Sequence, residues 1–292
     1  MAQYKKFALA MAFLTLAFAL PLGRLVWFSI HDDLHSYIPL MPFVCVYLAW
    51  IFKSELPVRS SPAINSGMVL LVCGLAAALS YFLLARPASL AGLENSLSLS
   101  TLAWVLLVAA AGCWFLGGAA MRALAFPFGL MIFMVPFPVP VRDAIESGLQ
   151  VGSAVVAEWM YTLAGTPVIR DDIFFRLPGF SLQVAPECSG IHSTWVLLIT
   201  SLVAGRMILL RPWKRAVLCL AVIPLALLRN GFRVFVIGEL CVHISPRMID
   251  SPIHHKGGPI FFVLSLIPFF LLLYFLRKGE TADTVRQSNK SE

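Results

Sequence analysis

Charge is scarce in this 292-residue chain: 13% of its residues are Asp, Glu, Lys or Arg, 59% are hydrophobic, and mean hydropathy is +0.85. A water-soluble domain carries roughly a quarter charged residues, so the polar surface needed to fold in water is missing. A disulfide framework is missing too. Of the six cysteines, Cys45, Cys73, Cys113 and Cys219 lie inside apolar runs, where a thiol packs as a small hydrophobe; Cys188 and Cys241 fall near polar segments. There is no internal repeat, which argues against transporter folds built from matching halves. No small-x-small cleavage site ends the apolar start that follows Lys5 and Lys6, so 7–22 reads as a retained first span. The net charge of +7 does not imply nucleic acid, because basic residues collect on the cytoplasmic loops of membrane proteins.

What is present is a succession of apolar runs. Candidate spans lie near 7–22, 37–52, 68–85, 102–119, 125–139, 191–204, 216–236 and 259–276, about eight in all. Basic flanks at Lys5 and Lys6, at Lys53 and Arg59, between Arg206 and Arg215, and between Arg277 and Lys290 fall on alternate loops. This predicts a multi-pass protein of the cell (inner) membrane with both termini cytoplasmic. The fold class expected is therefore an all-α polytopic membrane protein: one integral domain over 1–278 and a polar, cytoplasmic, disordered tail over 279–292.

The stretch 141–165 decides the topology of everything after it. Ile145, Leu149, Val156, Trp159 and Leu163 fall on one helical face, Asp143, Glu146, Gln150 and Ser153 on the other. With Glu146, Gln150 and Glu158 it is too polar to cross alone, and it is expected to lie on the outer membrane surface. Next, 173–177 and 180–184 flank Pro178-Gly179, which predicts a small β-hairpin whose turn uses the fixed φ of proline and the positive φ of glycine. This extracytoplasmic segment, 141–190, leads directly into Pro186-Glu187-Cys188.

Under that topology three polar groups reach the same outer boundary on three different helices. Cys188 precedes the sixth span, His254 and His255 precede the eighth, and Arg233 ends the seventh. Ser189 and Gly190 can open a helix whose N-terminal amides favour a thiolate at Cys188. The plainer readings are a packed cysteine, or a disulfide with Cys241. Arg229 and Arg233 share one face, with Asn230 between them. A charge in a span costs ~2.5–3.5 kcal/mol on insertion scales. Snorkelling accounts for Arg233 well and for Arg229 less well, whereas an inward guanidinium can donate to a developing oxyanion. An imidazole beside a thiol can take its proton and return one to a leaving amine. Cys, His and Arg together make an acyl-transfer set.

Cys188-Ser189-Gly190-Ile191, then Asn230-Gly231-Phe232-Arg233-Val234, then His254 with Gly258 and Phe262, resemble the exosortase/archaeosortase family of membrane transpeptidases. Asp33, His35, Ser36 and Pro39, and Pro136-Phe137-Pro138, are also similar to that family. The resemblance extends over most of 33–262. It implies a sortase-like cysteine transpeptidase, with Cys188 as nucleophile, Arg233 as transition-state stabiliser and His254, or alternatively His255, as general acid/base. Asn230, Arg229 and Ser189 are possible supports. The implied partners are exported proteins that end in a short motif, a transmembrane helix and a basic tail, together with an unknown acceptor nucleophile and membrane lipid. Neither a cofactor nor a metal is expected, and with no fused domain after the eighth span this is expected to be a minimal form.

Two rivals stand beside it. Cys188 and His192, one helical turn apart, can join His254 and His255 in a zinc-dependent membrane hydrolase. Alternatively, the protein is a non-enzymatic component of surface-polymer export whose arginines line a pathway.

Overall fold

The computed structural model describes residues 2–57, 60–84, 90–185, 189–245, 247–248 and 257–288. They form an all-α membrane protein with one small sheet, divided into two compact units, Met1–Arg142 and Asp143–Glu292. Six helical stretches are long and apolar enough to cross a membrane: Ile38–Glu55, Ile64–Leu83, Gly92–Phe115, Ile191–Ile208, Pro212–His243 and Gly258–Glu280. The number rises to eight if each of two bent pairs counts as one span.

The first unit begins with α1 (Ala2–Ala17) and α2 (Ala19–His31), which meet at a 71° bend, so the predicted first span, 7–22, is not one continuous helix. There follow α3 (Met41–Ile51), α4 (Ile64–Leu84), α5 (Leu90–Phe115), α6 (Gly118–Ala123), α7 (Ala125–Leu130) and a 3-10 turn, Met131–Met134. The expected fifth span, 125–139, is not one helix. Only Ala125–Met134 coils, rising ~15 Å against a ~30 Å hydrocarbon core, and Pro136 and Pro138, lacking N–H groups, stop it.

At the centre of the unit is α5, 78% of whose span is buried against 17% for α4. Gly67 and Gly74, seven residues apart on α4, allow the two helices to close up. A Cβ at Gly67 would strike the Trp114 indole, and one at Gly74 would sit 3.0 Å from Leu107. The polar start of α5 ties down the proline segment: Ser98 Oγ donates to the Pro136 carbonyl at 2.8 Å, and Asn95 Oδ1 accepts from Val139 N at 3.0 Å. Arg142 Nη1 lies 2.7 Å from both Glu94 oxygens. Between α2 and α3, the buried His35 ring bonds Asp32 through Nδ1 at 2.6 Å. That bond holds the Asp32 carboxyl below its ordinary value.

The second unit is built on α8 (Val139–Ala164), β1 (Ile169–Asp171), β2 (Phe174–Leu177), β3 (Phe180–Gln183), α9 (Ile191–Ile208), α10 (Pro212–Leu220), α11 (Val222–His243) and α12 (Gly258–Ser288). The last helix runs past residue 279, where the sequence reading begins its tail. The predicted hairpin is present, with Leu177 opposite Phe180 and Gly179 at φ +86°. A third strand, β1, adds to it antiparallel in the order β1-β2-β3. Three residues with both faces mostly exposed leave no alternation for a sequence reading to detect.

Although 26 residues long, α8 is not apolar enough to cross alone. Leu149, Ser153, Ala154, Ala157 and Tyr161 point inward, whereas Trp159 and Leu163, on the apolar stripe expected to face the membrane surface, are 71% and 87% exposed; of that stripe Leu149 alone is buried. Close helix approach selects small residues rather than the most apolar ones. A Cβ at Gly231 of α11 would meet Val156 and the Ser153 carbonyl, and one at Gly238 would overlap the Tyr161 hydroxyl. That hydroxyl is fixed by its 2.9 Å bond to the Val234 carbonyl, inside an apolar cluster with Phe175, Leu177, Leu182 and Val184. Gly238→Ala is therefore expected to destabilise the protein by about 1–3 kcal/mol, the range for overpacking. Adding Tyr161→Phe removes the obstructing oxygen and should recover part of the loss. Thermal unfolding of both variants in detergent measures the difference.

Candidate active site

The first turn of α9 opens on a left-handed residue. Gly190, the N-cap, has φ +66°, a left-handed conformation that glycine adopts without steric cost. There is also no room for a side chain, since a Cβ would overlap the carboxamide of Asn230 on α11. Both neighbours of Gly190 are held by hydrogen bonds. Asn230 Nδ2 donates to the carbonyl of Ser189, itself 1% exposed, and Ser189 Oγ accepts from Ile191 N at 3.4 Å.

Arg229 completes this junction. Its Nη2 donates to the Gly190 carbonyl at 3.2 Å and to Thr194 Oγ1 at 3.1 Å, while Nε donates to Asn230 Oδ1 at 3.1 Å. Thr194 and Ser193 also donate their hydroxyl protons to the Gly190 carbonyl, at 2.8 and 3.0 Å. The arginine is 7% exposed. Snorkelling, considered for both arginines, does not describe Arg229, whose guanidinium turns inward to clamp α9 onto α11. Three of its donors are engaged in that clamp rather than directed at a substrate.

Arg233 lies one helical turn further along α11 and is half-buried. Between the two arginines, Phe232 packs edge-on against Phe261 of α12, with ring centroids 6.0 Å apart. The starts of α9 and α12 thus both meet α11 within the stretch 229–232. Cys188 is one residue before Ser189, and His254 is seven before Phe261. Cys188, His254 and His255 lie outside the described residues. On the near side of Cys188, Val184 is 1% exposed; its N–H donates to the Ile173 carbonyl at 3.0 Å, and its carbonyl accepts from Gln150 Nε2 at 3.1 Å. The described chain is therefore anchored at Val184 and again at Ser189.

Of the sequence-predicted set, the structure brings Ser189, Arg229 and Asn230 together and places Arg233 on the same helix. Cys241 is buried on α11. Sequence reasoning missed Thr194 and the double requirement for glycine at 190. A threonine four residues after the glycine is the only local sign of the former, and it is weak. Among the described residues no three His, Cys, Asp or Glu side chains are grouped to hold a metal ion.

Chemically, the arrangement offers a helix N-terminus fixed by hydrogen bonds and a buried guanidinium at Gly190, two residues after a cysteine in the sequence, with a second guanidinium one turn away. No curated protein and no solved structure matches the chain. The family model for transmembrane exosortase matches residues 27–271, a stretch that contains the α9–α11 junction, Arg233 and the start of α12, and the chain therefore belongs to the transmembrane exosortase family.

Proposed function

We propose that this protein is a membrane-embedded cysteine peptidase/transpeptidase that cleaves the C-terminal sorting signal of exported proteins and passes the product to an acceptor. A membrane transpeptidase- or protease-like role in general follows from the family. The observation that carries it is the convergence on residues 229–232 of α11 of two helix starts, one directly after Cys188 and the other shortly after His254 and His255.

In this mechanism Cys188 Sγ attacks the scissile carbonyl carbon, and His254, or His255, takes the thiol proton. The Arg233 guanidinium donates hydrogen bonds to the oxyanion that develops on the former carbonyl oxygen, a task suited to a group that stays protonated. Collapse of the tetrahedral intermediate breaks the peptide bond. The imidazolium returns its proton to the departing amine, which leaves with the membrane anchor, and a thioester remains on Cys188. An acceptor amine, another nucleophile or water then attacks the thioester and regenerates the thiol. A substrate held by its own transmembrane helix presents its motif just outside the bilayer. This fits an active site on the periplasmic face of the inner membrane with both termini cytoplasmic, the side that the basic flanks favour.

A covalent trap is the direct test. Membranes containing the protein and a tailed substrate are quenched with hydroxylamine at neutral pH, which releases the substrate as a hydroxamate from a thioester and leaves peptide bonds intact. Trapped product that depends on Cys188 is expected; its absence under conditions of turnover would refute the covalent route. Arg233→Lys should lower turnover by about 10²–10³-fold, the cost of losing an oxyanion donor, because a point ammonium does not reproduce the planar fork. Initial rates at saturating substrate measure it, and an unchanged rate removes Arg233 from this role.

A further inference from the structure

Arg24 stands in the middle of α2, and every other residue of that helix from Ala19 to Phe28 is apolar. Among the described residues its guanidinium forms no hydrogen bond and no ion pair. An arginine in such a helix is costly to place against hydrocarbon and points to a ligand or partner. The side chain lines a groove of about 860 Å³ between α2 and the start of α5. Gly23 keeps that groove open: a Cβ there would meet nothing within 4 Å.

The polar groups of the groove are two of opposite sign, with the rest already satisfied. Glu94 is neutralised within the first unit, since Arg142 Nη1 lies 2.7 Å from both of its oxygens. Asp32, at the far end of α2, engages the His35 ring and N–H through Oδ2 alone, and the bond that lowers its pKa keeps it ionised at neutral pH. Its Oδ1 has no hydrogen-bond partner among the described residues. Between Arg24 and Asp32 lie Trp27 and His31, whose rings are 4.3 Å apart. His31 Nδ1 donates to the Trp27 carbonyl at 2.8 Å, which leaves Nε2 as the acceptor of the neutral ring. Tryptophan is the residue that membrane proteins place at head-group depth.

The other end of the groove is apolar and continues along α1. A second groove of about 620 Å³ is lined by Ala8, Met11, Ala12, Thr15 and Leu16, and Ala19 lines both. From Ala8 to Ala19 it runs ~16 Å along the helix, close to the ~15 Å that one leaflet contributes to the hydrocarbon core. In order along the chain, the wall is therefore a leaflet-length apolar trough, a cation, an interfacial aromatic ring and a carboxylate. A phospholipid with an amino head group presents the complementary order: acyl chain, phosphate, ammonium.

We propose that this groove binds one phospholipid of the surrounding bilayer with a primary-amine head group, phosphatidylethanolamine by class, its acyl chain along α1, its phosphate on Arg24 and its ammonium beside Trp27, His31 and Asp32. The site lies wholly within the first unit and is independent of the peptidase chemistry proposed above. The lipid supplies the anion that Arg24 lacks and the donor that Asp32 Oδ1 lacks. Phosphatidylglycerol meets only the first need. Phosphatidylcholine brings a positive charge but no N–H to donate.

Full-length protein in mild detergent is mixed with each of these three lipids, with matched acyl chains, and native mass spectrometry counts the lipid that stays bound. One phosphatidylethanolamine per chain is expected, retained about fivefold better than phosphatidylglycerol, the worth of one charge contact at a membrane surface. Arg24→Gln should weaken retention by a similar factor. Gly23→Leu fills the groove from a position where a Cβ meets no neighbour, and should abolish retention. Equal retention of phosphatidylethanolamine and phosphatidylglycerol by the wild type overturns the proposal without any variant, and so does wild-type retention by Gly23→Leu. A photoreactive diazirine side chain in place of the exposed Leu20 identifies the occupant in native membranes. Capture of phosphatidylethanolamine is expected; capture of a peptide helix or of a second copy of this chain in its place overturns the assignment.

Discussion

Replacement of Cys188 by alanine is expected to abolish processing of a tailed substrate while the protein still accumulates in the membrane. Removing a covalent nucleophile typically costs ~10⁴-fold or more, because the remaining groups then have no bond-forming partner to assist. The variant should fold, since alanine removes one sulfur atom and adds no new backbone demand, and Ser189 on its far side is fixed to Asn230 by a bond to its own carbonyl. Immunoblotting of substrate size in cells expressing each variant reads the outcome, with membrane abundance of the enzyme as the control. Full-size substrate with normal enzyme levels is expected. Mature product at the wild-type rate would eliminate thiol catalysis and turn attention to a non-enzymatic role.

The second large effect is expected at a residue with no reactive group. Gly190→Ala combines two penalties: a left-handed backbone, ~1–2 kcal/mol for an L side chain, and a methyl group placed on the Asn230 amide. Relief requires Asn230 to move, which releases the Ser189 carbonyl and the Arg229 Nε bond together. Activity should drop about 100-fold, as for a catalytic group displaced by ~1 Å, with lowered thermal stability. Two further variants separate the causes. Gly190→Asn tolerates the backbone angle but not the space, and should fail as badly. In Gly190→Ala combined with Asn230→Ala the space is opened and the bond lost, so stability should return further than activity. Wild-type turnover by Gly190→Ala would mean that the tight junction between α9 and α11 does not position the nucleophile.

Much of the fold is legible in the sequence because hydrocarbon imposes a single simple demand: long apolar runs coil into helices that satisfy their own backbone. Thus 68–85, 102–119 and 259–276 correspond to α4, α5 and α12. The turn at Pro178-Gly179 is legible for an equally local reason, the φ preferences of two adjacent residues. The less local the cause, the worse the reading. The face that α8 packs on α11 was not read, because hydrophobicity marks the membrane-facing stripe while helix approach depends on smallness: Ser153 and Tyr161 face inward at Gly231 and Gly238, and Trp159 points out. The break of the expected fifth span was foreshadowed by its prolines, but the α5 side chains that receive the Pro136 segment were not.

By itself, the sequence determined that the chain is a multi-span helical membrane protein and where most of its long helices run, and its cysteine, arginine and histidine motifs carried the resemblance to exosortases. These depend on composition and on spacing along the chain. Only the tertiary structure decided that Arg229 and Asn230 hydrogen-bond the Ser189-Gly190 turn that opens α9, and that glycine at 190 answers to space as well as to φ. The physical reason is that a hydrogen bond between residues about forty positions apart depends on how two helices pack. That packing is set by small residues whose partners lie elsewhere in the chain.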